Sequence, residues 1–184
     1  MKPRPPLPVT DDEVVATVHA ATQGLSLPPP TTSGAVADAE RTIGFPMPPL
    51  LRRLYTEVAN GGFGPDDGIL GVRGGHPQGS FRDIAELYED GPDPSGLVPA
   101  GLVLIYDWGC TSWSLVDFRD PAGPMWCTED GRLWPQGITL AEWLTATSTG
   151  TLTVTGMLDT PGLALSPDPG SGRLGRALTE ADGR

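Results

Sequence analysis

Apolar residues recur with a helical period in the first third of the chain and in strand-like runs through its middle. Thr10-Asp11-Asp12-Glu13 predicts a capped helix start, with Thr10 as N-cap and Glu13 at N3. Val14, Val15, Val18 and Ala21 follow on one face, and Gly24 ends the helix. Pro28-Pro29-Pro30 makes residues 25–34 an extended spacer. A second helix is predicted over 35–43, with Val36, Ala39, Glu40 and Ile43 near one side. Pro48 and Pro49 suit the start of a third, because the first turn has no partner for their missing N–H. Leu50, Leu51, Leu54, Tyr55 and Val58 form its apolar stripe, and Asn60-Gly61-Gly62 stops it.

Residues 68–72 read as a short strand and 73–79 as a loop. Ser80 is the expected cap of a helix over 81–89, with Ile84, Leu87 and Tyr88 inward. The continuous apolar run 102–106 predicts a central buried strand. A second strand over 112–118 sets Trp113, Leu115 and Asp117 against Ser114, Val116 and Phe118 on its two faces. A turn at Asp120-Pro121-Ala122-Gly123 leads to a third strand over 124–128, completing an antiparallel meander. Thr139 and Glu142 repeat the capping box and open a closing helix to about Thr147. Residues 151–155 have strand composition. The pattern defines an α+β protein: a mainly antiparallel sheet with helices packed around it.

The 25 glycines and 21 prolines crowd toward the two ends. They divide the chain into an N-terminal helix and Pro-rich spacer (1–34), one domain (35–148) and a Gly/Pro-rich tail (149–184). Net charge is −11, and residues 38–147 carry 16 acids against 7 bases, so the acidity belongs to the domain itself. That balance argues against nucleic acid, whose phosphates need clustered Lys and Arg, and serves either solubility alone or a basic protein partner. The first residues lack the apolar run of a secretory signal, and no stretch approaches a membrane span. A cytoplasmic location is expected, with no membrane contact.

Candidate chemistry is sparse. Gly71-Val72-Arg73-Gly74-Gly75-His76 lacks the Gly-Lys-Ser/Thr of a phosphate loop. His19, His76, Cys110 and Cys127 have no metal-ligand spacing, so neither metal nor cofactor is expected. Cys110 and Cys127 either pair across adjacent strands or remain free thiols. From Asp83 to Asp93 stand five acids and no base: Asp83, Glu86, Glu89, Asp90 and Asp93. They form either a solvated helix face or a contact for a basic partner. All five tryptophans lie within residues 108–143. Trp113 and Trp143 phase with core positions, whereas Trp108, Trp126 and Trp134, at strand ends or in a loop, suit either packing or recognition.

These residues carry a likeness. Glu40, Ile43-Gly44-Phe45-Pro46, Leu50, Leu54-Tyr55 and Asn60-Gly61-Gly62 resemble the opening of SUKH-superfamily domains. Asp107-Trp108-Gly109-Cys110, Trp113, Val116-Asp117 and Trp143-Leu144 resemble the second half, in the same order, over about residues 35–147. Ile43 and Phe45-Pro46 depart from the more usual Leu-Gly and Leu-Pro, and residues 1–30 and 150–184 have no counterpart. The resemblance implies an α+β fold, binding without catalysis, and structural roles for Gly44, Asn60, Gly61, Gly62, Gly109, Cys110, Trp113, Asp117 and Trp143. It further implies a bacterial immunity protein that neutralises a toxin, often a nuclease, by direct contact. The alternative is an intracellular scaffold like the yeast Smi/Knr-type regulators. On the immunity reading, a basic toxin domain meets Trp108, Trp126, Trp134, Asp83, Glu86, Glu89 and Asp90.

Overall fold

The computed structural model describes residues 10–90 and 98–150. Five helices and four strands run in the order α1 (Asp11–Ala21), α2 (Ser33–Ile43), α3 (Pro49–Glu57), α4 (Ile84–Asp90), β1 (Leu102–Gly109), β2 (Ser112–Asp117), β3 (Pro124–Glu129), β4 (Arg132–Thr139) and α5 (Leu140–Ser148). The expected strand at 151–155 lies outside the described residues.

Both capping boxes form. The Glu13 N–H donates to Thr10 Oγ1 at 3.3 Å while Glu13 Oε2 accepts the Thr10 N–H at 2.9 Å. Thr139 and Glu142 make the same pair of bonds at the start of α5. Helix α2 begins two residues before the expected position, because the Thr32 hydroxyl accepts the Ala35 N–H at 3.2 Å. Gly44 ends it with φ +82°, in the left-handed region that suits glycine. The half-buried Glu40 then accepts the Met47 N–H at 2.7 Å and pairs with Arg52, tying α2 to α3.

Val14 and Val18 of α1 are fully covered, and α1 packs against α3 and α5. The Pro-rich strap behind it docks as well. The Thr31 N–H donates to the Tyr55 carbonyl at 2.8 Å, the Asn60 N–H donates to the Pro29 carbonyl at 3.2 Å, and Leu27 packs on the core. The boundary expected at residue 34 therefore does not separate two packing units: α1 and the strap share the core of the rest.

The sheet is one antiparallel meander, β1-β2-β3-β4. Its fourth strand was not anticipated, since Pro135 and Gly137 interrupt the alternation by which strands are recognised. Register aligns Tyr106, Ser114, Cys127 and Trp134 across one face, with Val103, Val116 and Met125 beside them. Leu104, Leu115, Trp126 and Pro135 line up across the other. On the first face Trp143 of α5 meets Tyr106 and Trp108. On the second, Phe81 meets Trp113 edge-on at 6.3 Å between centroids. Cover on both faces leaves every residue of β2 buried, Asp117 included.

Two sequence expectations between α3 and β1 are corrected. Residues 68–72 form no strand; only the Leu70 N–H reaches β1, donating to the Ile105 carbonyl at 2.9 Å. Their other bonds run to the Asn60-Gly61-Gly62 turn, described below, and to neighbouring groups such as the Phe63, Pro65 and His76 carbonyls and the Tyr55 hydroxyl. Helix α4 starts at Ile84, later than expected, because Asp83 caps it in place of Ser80. Asp83 Oδ1 accepts the Ala85 and Glu86 N–H groups at 3.0 and 2.9 Å. Phe81 exchanges two backbone bonds with Gln78 instead.

Candidate binding site

Helices α2 and α4 pack side by side, and with the 73–77 loop they enclose an open cleft of about 890 Å³. Small residues line part of it (Ala35, Ala39 and Ala85, with Gly74 and Gly75 from the loop), and charged residues line the rest. Four of the five acids singled out in the sequence line this cleft, Asp83, Glu86, Glu89 and Asp90, and Asp93 lies outside the described residues. Asp38, Arg41, Arg73 and Arg82 join them. The sequence reading missed these four, although the spacing of Arg82 and Glu86, i to i+4, is a recognisable pairing signal.

The carboxylates differ in how fully the protein itself engages them. Asp83 is occupied as the cap of α4. Glu86 holds the Arg82 guanidinium at 2.8 Å and its backbone N–H at 2.7 Å, and these bonds, the side-chain one foremost, hold its carboxyl below the usual range. Asp38 pairs with Arg41 at 2.8 Å. Glu89 and Asp90 are exposed, and their carboxylates make no hydrogen bond or ion pair among the described residues. They stand in the last turn of α4, which has no basic residue. Negative charge there faces the negative end of the helix dipole, an arrangement that local energetics disfavours.

Most other acidic groups among the described residues are engaged, while the side chains of Asp11, Asp66 and Asp67 are exposed and, like those of Glu89 and Asp90, make no bond there. Arg53 bridges Asp12 and Glu57, Glu13 is held by the α1 cap, and Asp130 accepts from the Thr111 hydroxyl at 2.7 Å. Glu129 takes Ser112 and Arg132, and Asp107 accepts the Gly109 N–H.

The three aromatic candidates separate. Trp134 is 1% exposed, because β4 places it on the covered face beside Cys127, with Arg132 over its ring. It presents no face to a partner, which corrects the expectation drawn from a loop position. Trp108 is half-buried and pinned: its indole N–H donates to Ser114 Oγ at 2.8 Å and its ring lies edge-on to Tyr106 at 4.7 Å. Trp126, opposite the exposed Pro135, is half-buried like Trp108 and packs against the core. None of these rings lines the acidic cleft, so the candidate acids and aromatics do not form one surface. Trp113 and Trp143 are buried, in the positions their phasing predicted.

The Asn-Gly-Gly turn is a buried anchor. Asn60 Oδ1 accepts the Val72 N–H at 2.9 Å, its Nδ2 donates to the Val72 carbonyl at 3.2 Å, and its own carbonyl accepts the His76 N–H at 2.8 Å. The Gly62 N–H donates to the Ile69 carbonyl at 2.8 Å. A Cβ on Gly71 or Gly75 would sit 2.3 or 2.4 Å from the Asn60 carbonyl oxygen, so only glycine fits at either position. This network sets the path of the 73–77 loop and hence one wall of the cleft. Asp117 holds Arg119 by two bonds of 2.7 Å. Burial works to raise its pKa, but the Arg119 hydrogen bonds and charge outweigh burial and hold the carboxyl below its usual value.

Gly109 (φ +82°) precedes the exposed Cys110 at the tip of the β1–β2 hairpin, and both cysteines are free thiols. Burial, with Glu129 adding to it, pushes the Cys127 thiol up to about 12. Among the described residues, no group of three or more His, Cys, Asp and Glu stands close enough to hold a metal ion. Nor is any helix among them long and apolar enough to cross a membrane.

Fold and site together define an α+β protein with a four-stranded antiparallel meander and a charged cleft between two of its helices. No protein-family model matches the chain, and no curated protein matches it.

Proposed function

We propose that this chain is a non-enzymatic binding protein, a bacterial immunity protein of the SUKH type that neutralises a cognate toxin in the cytoplasm. The partner is a basic toxin domain, with nuclease toxins the foremost class. The observation that carries the reading is the α2–α4 cleft, where Glu89 and Asp90 remain unengaged at an unfavourable end of α4. Residues that break a local rule without compensation within the fold are characteristic of sites whose compensation comes from a partner. The resemblance in residues 35–147 supplies the class of partner, and the −11 net charge would speed its encounter with a basic domain.

The test is co-expression with the toxin candidates encoded beside the gene. The expected result is that one of them kills the host alone, is tolerated with this protein, and forms a complex with it. If none of the neighbouring toxins kills without this protein and none binds it, the immunity reading is lost. Several endogenous partners and no toxin would instead identify an intracellular scaffold.

A further inference from the structure

We draw no further inference here: the strongest candidate, the charged cleft between α2 and α4 with Glu89 and Asp90 on its rim, belongs to the site already described, and no buried, unpartnered polar side chain lines it among the described residues.

Discussion

Asn60 shows how much one side chain can organise. Replacing it with alanine strands the buried Val72 N–H, at a cost of about 1–3 kcal/mol, while the Val72 carbonyl keeps the Gly75 N–H. Urea denaturation of Asn60→Ala is expected to show a loss of about 1–3 kcal/mol; a change below about 0.5 kcal/mol would mean the loop holds its path without the anchor. The sequence showed Asn60-Gly61-Gly62 as the helix stop, but α3 already ends at Glu57 with Val58 as its C-cap, just ahead of that turn. The anchoring role was hidden, because a stop signal is local while the bonds to Val72 and His76 close a loop of more than ten residues. The cysteines allow a direct check on burial. In native protein one thiol, Cys110, should react promptly with a thiol reagent at mildly alkaline pH. Cys127 should react only on unfolding, since burial keeps it protonated. Two fast thiols would contradict the covered position of Cys127 beside Trp134.

At the scale of elements, the helices were legible because their signals are local: Thr10 with Glu13, Thr139 with Glu142, Pro49 at a first turn, Gly44 at a last one. Strand β4 was illegible for the opposite reason. Its pairing with β3 compensates for Pro135 and Gly137, and pairing is not written in one strand's own alternation. The same residues blunt this edge of the sheet against further strands, since Pro135 offers no N–H. The hairpins flanking β2 and β3 differ instructively. Asp130-Gly131 carries the two positive φ values of a type I′ turn with the residues that turn favours. Cys110-Thr111 adopts φ of 51° and 70° without them, and a β-branched residue there is strained. Exchanging Cys110-Thr111 for Asn-Gly should stabilise the protein by about 1–2 kcal/mol in thermal or chemical unfolding. No gain would mean that the Thr111 bond to Asp130 offsets the strain. In α4, Glu89→Lys with Asp90→Lys should leave Tm unchanged or raise it, because cations suit a helix C-terminus. The same pair of changes should weaken a toxin complex at least tenfold, mainly through slower association. If binding is unaffected, the partner sits elsewhere, with Trp126 the next residue to change.

For the molecule as a whole, acid should be the weak direction. The carboxyls of Asp117, Glu13, Glu57 and Glu86 are all held below their ordinary values in the folded state. A depressed folded pKa contributes stability that is present above the unfolded value and lost as pH falls through the folded one. For Asp117 that window opens at about 3.8 and extends downward. Stability measured from pH 7 to 2 should hold and then fall steeply at the acid end, and Asp117→Asn should flatten part of that fall. An unchanged slope in the variant would remove the Arg119 pairing from the account. Charge and cysteine content were readable from composition alone, but which acids remain free for a partner was not. That depends on which arginines fold back onto them, as Arg82 does on Glu86 and Arg53 on Glu57.

The docking of α1 on α5 sets a timetable as well as a contact. Val14 and Val18 lie near the start of the described chain, and much of their cover belongs to a helix that begins at Leu140. A ribosome making this protein therefore releases a sticky helix long before its counterpart exists. Until α5 emerges, the nascent chain must keep that stripe from its neighbours, so α1, the earliest of the described helices, is among the last of them to come to rest.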